Sequence, residues 1–234
     1  RHNTDFSNYN AFVRATCDGG RAGFFDLQAG WQDRDFGSNG FYAAYNPDQW
    51  EHTATALASL RWLKTAGRFS FGTAASYRKN FDRYDWTRGT AMNRHNTDNA
   101  GAKLWADCRW AAGVTSAGGD WVFNHIYSTN LGEKLAVPEG HYTHAKARHT
   151  GNLWLRHAKQ WRRFDAAASA GVSLTPYGTS ALWSLSAGYA PAAGLRLEAG
   201  AWQSMRLPTF TDLYYTSPAQ INNLDLTPEH AVTY

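Results

Sequence analysis

Between Phe164 and Leu174 the chain reads "FDAAASAGVSL", and parity alone sorts these residues into two chemistries. Phe164, Ala166, Ala168, Ala170, Val172 and Leu174 are apolar, while Asp165, Ala167, Ser169, Gly171 and Ser173 are small or polar. A period of two is the period of an extended strand, whose successive side chains point to opposite faces. The same division holds at 195–207, where Leu195, Leu197, Ala199, Ala201, Met205 and Leu207 oppose Arg196, Glu198, Trp202, Ser204 and Arg206. In "WEHTATALASLRW" the apolar parity begins at Trp50, passes through Ala54, Ala56, Ala58 and Leu60, and closes at Trp62. Small residues at the centre with tryptophans at both ends is how a membrane-spanning strand places aromatic girdles at its two interfaces.

Helical periodicity is almost absent, so the alternation predicts an all-β chain. The connections strengthen this. Gly-bearing turns at 17–21, 64–68, 111–116 and 191–194 alternate with long polar and aromatic segments at 35–49, 84–96, 128–149 and 208–229. Short turns on one side and long loops on the other predict an antiparallel transmembrane β-barrel, with the short side periplasmic. About ten up-and-down strands and the start of another fit the length, each exceeding the ~9–11 residues of a tilted spanning strand. The composition agrees: aromatic residues make up 15% and charged residues only 18%. The mean hydropathy of −0.54 suits strands of which only half the residues meet lipid. No apolar run approaches the roughly 18 residues of a spanning helix. A net charge of +4 from scattered basic residues gives no footprint for nucleic acid.

The pentapeptide "RHNTD" occurs at Arg1–Asp5 and again at Arg94–Asp98. Both copies stand just ahead of a descending strand, where a long loop re-enters the wall, so we read them as hairpin punctuation. Arg1 falls inside what reads as a strand, and "PEHAVTY" stops in mid-pattern. The expectation is therefore one partial barrel domain over residues 1–234, a fragment of a longer chain.

The segment "SMRLPTFTDLYYTSPAQINNLDLTPEHAVTY" (204–234) resembles a signature of TonB-dependent outer-membrane receptors. There a strand ends in Arg-x-Pro-[ST]-Phe-x-Asp-Leu-Tyr-Tyr, and a long outer loop closes on Asn-x-Asp-Leu-x-Pro-Glu. The matching residues are Arg206, Pro208, Thr209, Phe210, Asp212, Leu213, Tyr214, Tyr215, Asn223, Asp225, Leu226, Pro228 and Glu229. "FGSNGFYAAYNPDQWEHT" (36–53) and "YSTNLGE" (127–133) are similar to outer-loop segments of the cobalamin-receptor-like branch. The resemblance implies a barrel of roughly 22 strands with a plugged lumen, of which this chain is a central part without its plug domain. It also implies outer-membrane location, lipid contact and energy relayed by TonB through the plug. The cargo would be a scarce bulky nutrient, such as a corrinoid, a siderophore or a similar chelate, and a surface-exposed lipoprotein is a further implied partner. The heme-receptor form of the motif is not met, because "MRLP" and "NNLDL" replace Arg-Ala-Pro and Asn-Pro-Asn-Leu.

Aromatic residues on outer loops offer contact area at low entropic cost, which suits a large planar ligand. Phe210, Asp212, Tyr214 and Tyr215 are accordingly the ligand-binding candidates, joined by Tyr42 and Arg94; loop packing or an interface belt is the plain alternative. His141, His144 and His149 share one long loop in this reading but lack a carboxylate or thiolate at ligand spacing, so solvated histidines are expected. Asp33, Asp35 and Asn39 loosely resemble a calcium loop without its closing bidentate Glu. No resident metal or other cofactor is assigned. Arg61, Arg109, Arg196, Glu198 and Arg206 fall on the inner parity and are expected to form charge ladders rather than plug contacts. Cys17 and Cys108 match no zinc or redox spacing and are expected to stay unpaired.

No Gly-x-Ser-x-Gly, His-Glu-x-x-His or phosphate loop is present, so no enzymatic activity is indicated. Two other readings compete with a receptor. A soluble glycan-binding propeller would need blades repeating near 40–50 residues, and a passive porin would not need the 206–229 signature.

Overall fold

The computed structural model describes residues 2–217 and 220–234. Twelve strands form one antiparallel sheet. They are β1 (Phe6–Asp18), β2 (Phe24–Gly37), β3 (Trp50–Ala66), β4 (Phe69–Asp85), β5 (Asn93–Trp110), β6 (Gly113–Ser128), β7 (Glu133–Glu139), β8 (Tyr142–Trp161), β9 (Phe164–Thr175), β10 (Gly178–Ala192), β11 (Leu195–Arg206) and β12 (Glu229–Thr233). The wall runs β1 to β6 and β8 to β12 in sequence order, with β7 paired to β8 off that path. One short helix, α1 (Phe210–Tyr214), lies in the loop between β11 and β12. Among the described residues no helix is long and apolar enough to cross a membrane.

The register preserves the parity read from sequence all the way across the wall. Ala58 stands opposite Ala29 and Tyr77, Leu104 opposite Thr73 and Gly119, and Ala168 opposite His157 and Leu185. Residues directly opposed in an antiparallel ladder share a face, so one face collects the apolar set. Leu60, Leu104, Leu153, Leu155 and Leu185 are all exposed on it. The buried hydrophobic residues number three among those described, Ile126, Leu131 and Leu213. A single sheet with so little core has no second layer to cover its apolar face, and lipid is the solvent that suits it.

Aromatic belts bound that face. At the short-turn end Phe164 stacks on Tyr189 with centroids 4.3 Å apart, and Phe69 lies beside Phe71 at 6.2 Å. At the other end Trp121 and Phe123 are stacked at 6.3 Å. Ten residues of β6 separate Gly113, opposite Trp110, from Phe123. That is about 34 Å of strand, and at the usual tilt it matches an apolar band about 25 Å tall.

The opposite face is polar and charged. Arg14 grips Asp26 through Nε at 2.9 Å and Nη2 at 2.7 Å, and Arg196 bridges Asp165 at 2.6 Å and Glu198. Arg196 thus links β11 to Asp165 on β9, with Glu198 beside it on its own strand, and Arg206 lies 3.8 Å from Glu229 on β12. Arg61 instead lies over the Trp105 ring at 5.8 Å. Trp105 and Trp154 lie flat on this face because the residues opposite them, Gly72 and Gly118, have no side chain. A Cβ on Gly72 would come within 2.1 Å of the Trp105 ring, and one on Gly118 within 2.5 Å of Trp154.

Several expectations need correction. The propeller reading fails, since the strands make one continuous meander without blades. The second "RHNTD" copy lies inside β5, where it pairs with both β4 and β6; the first precedes β1, and Arg1 lies outside the described residues. His144 and His149 are not in a loop but on β8, at opposite parities, with His149 stacked 4.8 Å from Phe123. Local sequence hid this, because polar residues continue along β8 above the apolar band. The long-loop side also holds tight turns, at 140–141 between β7 and β8 and at Pro176–Tyr177, the latter ending the β9–β10 hairpin low. Cys17 and Cys108 are both free thiols, on β1 and β5 with three strands between them.

Candidate functional site at the mouth of the wall

Strands of up to 20 residues, such as β8, are longer than the bilayer requires, so their upper ends stand clear of it. Two of the loops at this end, β2–β3 and β11–β12, fold over the polar face. In the β2–β3 loop, Gln49 is fully buried and organises the turn by accepting the Tyr42 backbone N–H at 3.1 Å. Its own backbone carbonyl accepts the Ser38 N–H at 2.7 Å. Tyr42 then reaches the inner parity of the wall. Its hydroxyl donates to Glu51 Oε2 at 2.6 Å, and its ring meets Tyr84 edge-on with centroids 5.0 Å apart. Burial, followed by the hydrogen bond to the Glu51 carboxylate, pushes the Tyr42 phenol well above its ordinary range, so it stays a neutral donor.

This loop is tied down from outside. Arg88 holds Asp5 with two bonds of 2.9 Å, and its backbone N–H donates to Asp48 O at 2.9 Å. Asn3 donates to Pro47 O at 2.9 Å, and His2 pairs with Asp48 at 2.6 Å. Asp85, with no exposed surface, takes both Arg83 nitrogens at 2.9 Å and the Gly89 N–H at 2.7 Å. The Arg88 guanidinium holds the Asp5 carboxyl below the usual carboxylate range.

The signature loop docks on β8. The Arg148 Nη1 donates to Pro208 O at 2.6 Å while its guanidinium sits 5.0 Å from the Phe210 ring centre. Thr209 caps α1 by a reciprocal pair: Asp212 N–H donates to Thr209 Oγ1 at 3.0 Å, and Thr209 N–H donates to Asp212 Oδ2 at 2.9 Å. These two bonds satisfy donors that a helix start leaves open. Arg206 adds a bond to Asp212 Oδ2 at 3.1 Å. The backbone N–H of Thr209, then its hydroxyl, then Arg206 hold the Asp212 carboxyl below the usual value. Leu213 is buried, Lys146 Nζ pairs with Glu133 and lies near Tyr214, and Tyr215 lies near Tyr84. Behind the loop lies a cleft of about 330 Å³ that includes Arg206, Asp212, Asn223 and Glu229.

The sequence candidates therefore separate. Phe210, Asp212, Tyr214 and Tyr215 occupy one helical turn over the polar face, and Tyr42 approaches the same region through Tyr84. Asp212 is occupied as a cap. Arg94 is apart from them, at the top of β5 on the parity of the apolar face, with its backbone N–H donating to Thr129 Oγ1 at 3.1 Å. Sequence reasoning did not single out Glu51, Tyr84, Lys146 or Arg148. Their signal was available, since each is an inner-parity polar or aromatic residue near the loop end of its strand. Gln49 had no such signal.

No family model matches the chain, and no curated protein matches it. Solved structures do. The siderophore receptor PirA from Pseudomonas aeruginosa superposes with a TM-score of 0.74 at 12% identity, covering 97% of this chain and 42% of that one. A copper transporter, OprC, superposes with a TM-score of 0.69 at 13% identity, covering 98% and 42%. The likeness is one of fold, and the chain spans 42% of the length of each of these two proteins.

Proposed function

We propose that this chain is part of the wall of a bacterial outer-membrane receptor that takes up a scarce, bulky nutrient by TonB-dependent active transport. The observation that carries the reading is the direction of the long loops. The β2–β3 and β11–β12 loops fold onto the polar face, where Glu51 holds Tyr42 and Arg148 holds the turn at Pro208 and Phe210, so this part of the mouth is pre-ordered and carries aromatic rings. The siderophore and copper cargoes named for the two structural neighbours favour a chelate as cargo, and the loop resemblance favours a corrinoid among chelates. In this reading Phe210, Tyr214, Tyr215 and Tyr42 contact the ligand, with Asp212 holding the turn that presents them. Arg94, the remaining ligand-binding candidate, stands on the opposite face and is assigned no contact in this reading. The plug domain of the same protein supplies the coupling to TonB.

The test is uptake by cells producing the full-length protein, using labelled corrinoid and ferric chelates with and without TonB. Energy-dependent uptake of one cargo, reduced at least tenfold by a Phe210→Ala, Tyr215→Ala double variant, is the expected result. Uptake that persists without TonB would identify a passive pore and end this reading.

A further inference from the structure

One cluster lies on the other side of the wall from the mouth. Asp35 on β2 stands directly opposite His52 on β3, and Asp33 is two residues below on the same face. One ligand atom from each of Asp33, Asp35 and His52 can be chosen so that all three lie within 4.8 Å of one another. His52 Nε2 is 3.1 Å from Asp33 Oδ2, and the two side chains are only 27% and 29% exposed. The cluster belongs to the apolar parity, immediately above Trp31, where the strands emerge from the lipid band.

We propose that Asp33, Asp35 and His52 form a divalent-cation site on the outward surface of the wall, of the kind that takes zinc. Two carboxylate oxygens and one imidazole nitrogen, with no thiolate, suit a borderline cation such as Zn²⁺ or Mn²⁺. Three protein ligands leave a further coordination position for water. Around a tetrahedral Zn²⁺ with bonds of about 2.1 Å, ligand atoms stand about 3.4 Å apart. The His52–Asp33 separation of 3.1 Å is close to this, and the Asp35 oxygen lies within 4.8 Å of both. The ring is held in place, with Phe81 edge-on to it at 5.4 Å and Trp50 at 6.1 Å.

The two carboxylates also lack a committed cation. Arg88 interacts electrostatically with Asp35, but its guanidinium is engaged by both oxygens of Asp5. Ser7 donates to Asp35 Oδ2 at 3.3 Å, which orients the group without neutralising it. Two like charges at the edge of a low-dielectric band are destabilising alone, and a dication there removes the repulsion and staples β2 to β3. Asn39 has no part in the site, because the chain turns away beyond Gly37 and the cross-strand His52 takes the third place. Because the site faces away from the mouth, it stands or falls independently of any cargo.

The test uses the full-length protein in detergent, stripped with chelator and titrated with Zn²⁺ by calorimetry. A parallel Co²⁺ titration is followed by visible absorption. One equivalent is expected to bind in the wild type and to raise its Tm. His52→Gln retains a donor to Asp33, and Asp35→Asn retains the acceptor for Ser7, so both are expected to fold. Each should lose at least tenfold in affinity, the Co²⁺ band and the Tm shift. Absence of the equivalent in the wild type, or an affinity in either variant within threefold of wild type, overturns the assignment.

Discussion

The face assignment predicts opposite outcomes for two adjacent residues, Ala168 and Ser169. Ala168 stands opposite His157 and Leu185 on the apolar face, four residues above Phe164 in the lower belt. Four residues are about 13 Å of strand, or about 10 Å of height at a tilt near 40°, close to the middle of an apolar band about 25 Å tall. Arginine at that depth costs about 2–4 kcal/mol, and His157 alongside offers no negative charge to offset it. Ser169 faces the other way and shares a 2.6 Å hydroxyl pair with Ser184. Replacing it with arginine forfeits that bond, about 1 kcal/mol, while leaving the new charge in a polar environment. The assay is equilibrium unfolding of the full-length protein from lipid vesicles, comparing Ala168→Arg with Ser169→Arg. Equal destabilisation of the two variants, or a larger loss for Ser169→Arg, would refute the assignment of faces.

Three further outcomes follow from the geometry. The cap at Asp212 has a depressed carboxyl, so its contribution is complete at neutral pH and is lost only as pH falls through that lowered value. Protection of the Thr209 amide should hold at neutral pH and fall away only as pH drops through that lowered value, whereas Asp212→Ala should remove it already at neutral pH and cost about 1 kcal/mol in loop stability. Cys17 and Cys108 should remain unbridged, since four strand spacings of about 4.8 Å separate β1 from β5 and a disulfide needs Cα atoms within about 7 Å; an intact bridge in a peptide mass map would contradict the strand order. Residues 1–234 expressed alone should aggregate through the unpaired edges of β1 and β12, and a monodisperse monomer that binds a chelate would show that idea to be wrong.

What the sequence determined by itself is the wall. A strand has only two faces and a fixed period, so "FDAAASAGVSL" or "WEHTATALASLRW" could be sorted before any partner was known. The register then had one solution that kept Ala58, Leu104 and Ala168 on the lipid side, because a slip of one residue would expose every polar side chain to hydrocarbon. The turns were legible where glycine marked them on the short side, whereas the Pro176–Tyr177 turn, though marked by Pro176 and Gly178, was passed over because a long loop was expected on that side. The mouth and the cation cluster were decided by tertiary structure. Tyr42 finds Glu51 and Tyr84 only after the loop closes on Gln49, and Arg148 meets Pro208 and Phe210 across 60 residues of sequence. Asp35 acquires His52 through a cross-strand pairing, where the linear pattern had offered Asn39. Local alternation encodes which face a residue joins, whereas a site is made of side chains from different strands, and their proximity exists only once the whole ladder has formed.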